Sequence, residues 1–278
     1  MGLSLREQKL WNEIQHWENQ LEEQDVTDFQ LAFDKWLNRT FSQLSNDQQN
    51  EFFARVDGWL FHLHALIHSS QSQLDARNRI LSSARLFDET IEYIEDLRKL
   101  SIDQLMYIAE NQIARHRLYS FVQGGATGAG GFLFLSIDFP VMIAINLKAV
   151  QIIATSYGYN VNRPYEMMLA LKVFHASILP LRMQQAAWYD LVHDIKKSEE
   201  EPFFYEGVDE VIDSGSLLVV LKQSIKMFVI HSARRKLIQG IPIIGVAVGS
   251  VFNYRLTRNV TDFAHRFYQM RYLYGKQS

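Results

Sequence analysis

The stretch from Leu118 to Gly158, LYSFVQGGATGAGGFLFLSIDFPVMIAINLKAVQIIATSYG, decides the architecture of this chain. Five glycines fall within eight residues: Gly124, Gly125, Gly128, Gly130 and Gly131. The segment then passes through Asp138-Phe139-Pro140 and continues as an apolar helical pattern to Tyr157-Gly158. Small residues at a spacing of four let two helix backbones approach closely. The stretch therefore predicts tight helix packing, and it indicates no reaction.

A second glycine segment near the C-terminus echoes the first one. It contains Gly240-Ile241-Pro242, Gly245, Gly249 and Asn253. Each segment has glycines four apart, Gly124/Gly128 in one and Gly245/Gly249 in the other, and each is followed by a Tyr-Gly pair. A diverged internal repeat is one hypothesis for this similarity. We predict that the glycines of both segments lie in packed interior.

The first hundred residues have the periodicity of amphipathic helices. Leu10, Ile14, Trp17 and Leu21, for example, share one helical face. In a capping box, a hydroxyl and a Glu or Gln three residues later satisfy each other's backbone amides at a helix start. Four such boxes occur, at Ser4…Glu7, Thr27…Gln30, Ser45…Gln48 and Ser101…Gln104. Because two-residue alternation is nearly absent, we predict an all-α fold, a compact multi-helix bundle with glycine-mediated close helix packing.

The chain is long enough for one sizeable core, with 278 residues and a hydrophobic content of 47%. We predict one helical domain over residues 1–278, with amphipathic helices in 1–100, a glycine-rich core in 101–195 and C-terminal helices in 211–278. Gly158 is expected to end a helix, since glycine tolerates the left-handed backbone found there. Asn162-Arg163-Pro164 should open a helix through Tyr189, Lys196–Pro202 should be a solvated connector, and Asp213-Ser214 should begin another helix.

Charge is distributed unevenly along the chain, although the formal net charge is only -3. From Leu221 to Ser278 there are ten Lys or Arg and one acid, a balance of +9, so that residues 1–220 carry -12. Such asymmetry is typical of a surface that meets anionic lipid or an acidic partner. The alternative is that the two parts of the chain neutralise each other in the fold.

The absence of cysteine excludes disulfides, thiolate catalysis and Cys-ligated zinc. Met1–Asp25 lacks the pattern of a signal peptide, so we expect a cytoplasmic location. Leu118–Ile137 and Leu237–Tyr254 are free of charges and reach the length of a membrane span. Glycines and polar residues dilute both segments, which favours a soluble or peripheral protein. A membrane-inserted helical hairpin remains an alternative.

Three arginines, Arg255, Arg258 and Arg266, share a helical face near the C-terminus with Asp262. The opposite face carries Leu256, Val260, Phe263, Phe267 and Met270. A basic amphipathic helix can lie on an anionic membrane or meet a partner, and the plainer alternative is a core helix with a solvated back. Aromatic residues do not interleave with this basic face, so we expect no nucleic-acid partner.

Asp138 is the acid that stands out, because apolar residues surround it in the sequence. As an N-cap its carboxylate would accept amide hydrogens of the first helical turn, and Pro140 suits a helix start. The functional alternative is a buried acid with a shifted pKa, for which Asn253 is the expected polar counterpart, although Asn253 could also bond a helix end.

Patterns for other chemistries are weak or missing. The glycine run is followed by no Lys-Ser/Thr and preceded by no strand, which excludes the usual phosphate and dinucleotide loops. His62, His64 and His68 form one histidine cluster, but helix-surface histidines explain it better than a metal site. No nucleophile elbow occurs. We therefore predict no catalytic residue, no metal and no cofactor.

Several of these motifs, in this order, resemble the EcsC family of bacterial proteins. They are Glu13-Ile14-x-x-Trp17, the Gly124–Gly131 run, Asp138-x-Pro140, Tyr157-Gly158-Tyr159, Ile241-Pro242-Ile243-Ile244-Gly245-x-x-x-Gly249, Asn253, Ala264, Phe267-Tyr268 and Arg271. Lys148 and Asn160 stand where members of the family usually have Arg and Asp. The family is named after a protein encoded beside an ABC transporter. A transporter as partner fits this family name, but the resemblance defines no biochemical role and carries over no catalytic residue.

We therefore expect a non-catalytic, cytoplasmic helical protein that works by interaction. Its expected partner is another protein, such as a transporter, at the inner face of the membrane. One alternative is an enzyme or a small-molecule or lipid binder with a site around Asp138 and Asn253. The other is the membrane-inserted hairpin.

Overall fold

A computed structural model describes residues 2–23, 71–128, 132–179, 181–200 and 242–277 of the chain. Residues 22–23, 72, 124–128, 132–140, 181–182, 197–200 and 242–252 are described by their backbone alone. Seven α-helices occur in these ranges: α1 Leu5–Glu23, α2 Gln71–Arg85, α3 Ile102–Gly128, α4 Phe132–Ser156, α5 Pro164–Ile178, α6 Leu181–Glu200 and α7 Pro242–Gln277. A 3₁₀ helix covers Ile94–Lys99. These ranges contain no strand, so the predicted all-α bundle is confirmed.

Two of the predicted capping boxes are present at helix starts. The Ser4 amide donates to the Glu7 carboxylate at 2.9 Å, and the Glu7 amide donates to the Ser4 hydroxyl at 3.3 Å. Ser101 and Gln104 exchange the same two bonds at 2.9 and 3.4 Å. The boxes at Thr27 and Ser45, and the helix expected from Asp213, lie outside the described residues.

Gly158 ends α4 in the left-handed conformation that the sequence predicts, with a φ of +83°. The space there is also restricted, because a Cβ at this position would lie 2.8 Å from Cγ of Arg98 and 3.2 Å from the Ile94 carbonyl oxygen. The Arg98 guanidinium donates to the Gly158 carbonyl at 3.2 Å. Glycine is therefore required both by the backbone and by the contact with the 3₁₀ helix.

The helix that opens at Pro164 is shorter than the sequence pattern predicts. It ends at Ile178, and Leu179 is extended at φ -64° and ψ 155°. A residue before a proline avoids helical geometry, and residue 180 is a proline, so the prediction of a continuous helix through Tyr189 is wrong. The predicted connector is also wrong from Lys196 to Glu200, since α6 continues to Glu200. The Lys196 ammonium lies over the Tyr274 ring at 5.3 Å, so the turn of α6 that contains Lys196 packs against Tyr274 near the C-terminus of the chain.

The start of α4 differs from the predicted start at Asp138. The helix begins at Phe132, so Asp138 and Pro140 lie in its second and third turns. The prediction that Asp138 caps this helix is therefore wrong. Pro140 is the ninth residue of the helix, where it removes a backbone donor that the helix would otherwise use. From the sequence we had expected Pro140 in the first turn, where that donor is not needed.

The bundle is organised around α3, α4 and α7. From Met142 to Tyr159, nearly every residue is buried, which makes α4 the central helix of the described bundle. Helix α7 runs antiparallel to α3, since Tyr272 contacts Leu100 near one end and Tyr254 contacts Phe121 near the other. Helix α5 packs beside α4 and α7, and α6 packs against α5 and α1. Trp17 of α1 and Trp188 of α6 meet edge to face at 4.9 Å.

Candidate interaction surface and buried polar centres

A buried polar seam joins α3 to α7. The Thr257 hydroxyl donates to the Ser120 hydroxyl at 2.7 Å, and the Ser120 hydroxyl donates to the Asn253 carbonyl at 3.1 Å. One turn away, the Arg117 guanidinium donates to the Thr261 hydroxyl at 2.8 Å. Because each bond joins residues more than 130 positions apart, the seam fixes the register of the two helices.

Asn253 lies at the end of this seam and is fully buried. Its side-chain oxygen and nitrogen both lack a hydrogen-bond partner among the side chains and backbone groups that the structure describes. From the sequence we expected Asn253 to be buried and bonded to a helix end or a partner, and the hydrogen bond that the structure describes is the one its backbone carbonyl accepts from Ser120. An unsatisfied buried amide is costly, so the Asn253 amide is a candidate contact point for a ligand. The side chain of Asp138 lies outside the described side chains, and the pairing of the two stays a prediction.

The seam also bears on the glycine segments, whose backbones are helical in both α3 and α7. Ser120 lies opposite Asn253 and Thr257. Extended at that register, the helices would bring Gly124 to a level between Gly249 and Asn253, and Gly128 to a level between Gly245 and Gly249. Tight packing of Gly124, Gly128, Gly245 and Gly249 stays a prediction that this register favours.

The predicted basic face on α7 is divided in two by the structure. Arg255 is exposed, and Arg258 is 61% exposed with Asp262 3.6 Å away. Arg266 instead lies half-buried over the Trp17 ring at 5.1 Å, where burial lowers the pKa of its guanidinium. Arg266 thus helps to dock α1, and Arg255 and Arg258 remain available at the surface. The apolar face predicted on α7 is buried.

A strip of exposed apolar side chains, which sequence reasoning missed, lies beside these two arginines. This apolar strip consists of Leu118, Tyr119, Phe121 and Val122 of α3, exposed by 65%, 59%, 44% and 61%, and Tyr254 of α7, exposed by 36%. The rings of Phe121 and Tyr254 meet at 6.4 Å, so the strip crosses from one helix to the other. The signal was available, because four apolar residues in five consecutive positions cover more of a helix than one buried face can take.

A buried ion pair, also unforeseen, locks α5 to α7. The Arg271 guanidinium donates two bonds to the Glu166 carboxylate, at 2.6 and 2.8 Å, and both side chains are 8% exposed. Arg271 also lies 3.8 Å over the Tyr159 ring. Burial opposes the charge, but Tyr159 and Glu166 raise the pKa of Arg271 overall. The two partners are 105 positions apart in the sequence, which explains why no local pattern indicated the pair.

A second buried group contains Tyr157, His265 and Gln269. His265 lies 3.3 Å from the Tyr157 hydroxyl and 2.9 Å from the Gln269 amide nitrogen. Burial lowers the pKa of His265 to about 4, so the imidazole is neutral at pH 7. Because Tyr157 is fully buried, the group offers a substrate no access to its hydroxyl, and its evident role is to join α4 to α7.

No group of three or more His, Asp or Glu side chains suited to a metal occurs in the described part of the chain. The cluster of His62, His64 and His68 lies outside that part. None of the helices, over the residues described, combines the length and the apolarity needed to cross a membrane. The two segments proposed as spans, Leu118–Ile137 and Leu237–Tyr254, each include residues outside the description.

These features define a class of protein: an all-α bundle with a central buried helix, an antiparallel α3–α7 pair and an exposed apolar strip. The chain belongs to the EcsC protein family, whose sequence pattern matches residues 8–273. It is 24% identical over 262 residues to "Uncharacterized protein YdbA" of Bacillus subtilis (strain 168), which covers 93% of this chain and 90% of that protein. It is also 24% identical over 259 residues to "Protein EcsC" of the same strain, covering 92% and 97%. No solved structure matches the chain.

Proposed function

We propose that this chain is a non-catalytic, cytoplasmic interaction protein that binds at the inner face of the membrane and meets a membrane-protein partner there. The observation that carries the proposal is the apolar strip bordered by arginines. Exposed apolar side chains that lie together commonly mark interaction sites, whereas isolated ones do not. The family name, taken from a protein encoded beside an ABC transporter, makes a transporter the expected kind of protein partner.

The composition of the strip and its border suits an anionic membrane surface. Tyrosine is enriched where membrane meets water, since its ring is apolar and its hydroxyl is polar, and the strip contains Tyr119 and Tyr254. Arg115, Arg255 and Arg258 are exposed on the same two helices. Each basic residue close to anionic lipid contributes about 1 kcal/mol, so three arginines give reversible binding that salt weakens.

Sedimentation with lipid vesicles tests this proposal. The full chain should sediment with vesicles that contain phosphatidylserine at low salt, and much less at high salt or with phosphatidylcholine alone. Arg255→Gln/Arg258→Gln should lower binding by about thirtyfold, in line with two contributions of about 1 kcal/mol each. Leu118→Gln/Val122→Gln should lower binding at every salt concentration.

Leu86→Gln is the matched control, because Leu86 is 84% exposed but lies away from the strip at the end of α2. It should bind as the unchanged protein does. If binding is unchanged by salt, by lipid charge and by all four substitutions, this surface is not the membrane-binding face.

A second candidate function is favoured by the unpaired amide of Asn253. An enzyme or small-molecule binder centred on Asp138 and Asn253 would use that amide to hold a ligand. Native mass spectrometry of gently purified protein tests it: a small molecule retained by the unchanged protein and lost from Asn253→Leu would support a ligand at this centre. If both proteins appear at the masses of their own chains, without adduct, the result counts against it.

A further inference from the structure

None of the residues that line the cleft behind this inference belongs to the apolar strip. It opens between α2, the 3₁₀ helix, the last turn of α4 and the connector after Gly158, and its volume is about 240 Å³. At roughly 30 Å³ per water, that volume equals about eight waters, the size of a small organic molecule. The cleft belongs to neither the seam nor the strip.

The floor of the cleft is apolar and already formed. Ile80, Ile94 and Ile152 line it, and they are 0%, 1% and 3% exposed. All three belong to the hydrophobic core, so they hold their positions whether or not the cleft is filled. A ligand would therefore meet a rigid apolar surface without ordering it first, which favours binding.

The rim of the cleft is polar and carries a cation. Gln73 and Arg77 of α2 and Asn160 and Asn162 of the connector line it. Gln and Asn side chains donate two N–H groups each, and arginine donates five in a planar fork that fits a carboxylate. The Asn160 side chain is bonded to Glu95, whereas Gln73, Arg77 and Asn162 direct their N–H donors around the apolar floor without a described hydrogen bond from these side chains.

The carboxylate nearest to the rim is held by other groups. Glu95 accepts from the Asn160 amide at 3.0 Å and from the Arg163 guanidinium at 3.2 Å. Burial raises its pKa, but the Asn160 bond and the charges of Arg163 and Arg77 lower it overall. Glu95 is thus ionised and matched by Arg163, which leaves the charge of Arg77 in excess at the cleft.

We propose that this cleft binds a small organic anion, a carboxylate or phosphate group on a short apolar body. The anionic group would lie against Arg77, with Gln73 and Asn162 donating beside it. The apolar body would cover Ile80, Ile94 and Ile152. The volume excludes a whole lipid, so this site is separate from the membrane surface proposed above and does not depend on it.

Methyl NMR of the full chain with chosen probes tests the site. Hexanoate should bind with a dissociation constant in the millimolar range or below and shift the Ile80, Ile94 and Ile152 methyl signals. The uncharged 1-hexanol should bind at least about tenfold more weakly, because it lacks the charge-assisted bond to Arg77. Hexyl phosphate in the same titration shows which anionic group is preferred.

Two rim variants and a control make the result specific. Arg77→Gln and Asn162→Asp should each weaken hexanoate binding about tenfold or more, the first by removing the cation and the second by adding a negative charge at an exposed rim position. Arg79→Gln, two residues along α2 and exposed, should leave binding unchanged. Absence of methyl shifts with either anion, or equal affinity in Arg77→Gln and Arg79→Gln, would overturn the proposal.

Discussion

The two ends of the α3–α7 pair are built differently. Near Leu100 the charges are matched, since Arg271 binds Glu166, and the Tyr272 hydroxyl donates to the Leu100 carbonyl at 2.8 Å, although the buried Tyr268 hydroxyl makes no hydrogen bond to a described residue. Near the glycines, the buried Asn253 amide has no partner and Leu118 is 65% exposed. The same two helices thus combine an end that supplies stability with an end whose unsatisfied groups suit binding.

Breaking the buried ion pair should cause the largest loss of stability. Glu166→Ala leaves the Arg271 charge buried without its partner, and such changes cost about 3–5 kcal/mol in the free energy of unfolding. Arg163→Gln is the control, since its pair with Glu95 is largely exposed and such pairs contribute about 1 kcal/mol or less. Urea unfolding followed by circular dichroism measures both. Equal midpoints for the two variants would contradict the assignment of stability to this end.

Acid should destabilise the fold through two histidines. Burial lowers the pKa of His116 and of His265 to about 4, from an ordinary value of 6.5. As pH falls from 6.5 to 4, the unfolded chain takes up these protons and the folded chain does not, so stability is lost in that window and is unaffected above it. The loss is at most roughly 3 kcal/mol for each group.

Groups of both signs surround these histidines. Lys148 of α4 and Arg79 of α2 face His116, and both charges lower its pKa further. Asp262 raises the pKa of His265, while Arg266 lowers it. Melting temperatures measured from pH 8 to pH 4 should fall less in a His116→Gln/His265→Gln variant than in the unchanged protein. Identical pH profiles would show that these imidazoles are not held neutral.

Local signals in the sequence could predict the helix starts and the turn at Gly158, because capping boxes and left-handed glycines depend on a few neighbouring residues. The break before Pro180 could also be predicted, because a residue before proline avoids helical geometry. The Glu166–Arg271 pair and the burial of Arg266 over Trp17 could not be predicted, since they join positions that only the folded chain brings together. The candidate surface was therefore predicted in part, through Arg255 and Arg258.

Overpacking tests the glycine end directly. If the register of the seam continues, Gly128→Leu places a large side chain between α3 and α7 and should cost roughly 1–3 kcal/mol in the free energy of unfolding. Gly2→Leu is the control, because a Cβ at Gly2 meets no atom within 4 Å. Equal melting temperatures for these two variants would contradict close packing of the glycine segments.

The smallest expected effect on stability is at Asn253, where a polar residue is exchanged for an apolar one. Leucine has a similar size, and the Asn253 amide has no partner to lose, so Asn253→Leu should leave the free energy of unfolding unchanged or raise it by about 1 kcal/mol. Ser120→Ala, in the same seam, should instead lower it by about 1 kcal/mol, because it removes bonds to Thr257 and to the Asn253 carbonyl. Urea unfolding of both variants distinguishes the two cases.

A loss of 2 kcal/mol or more in Asn253→Leu would mean that the amide is satisfied, by water or by a neighbouring group, and the glycine end would then resemble the matched end. A variant that is stable but no longer retains a small molecule would instead mark Asn253 as a binding residue.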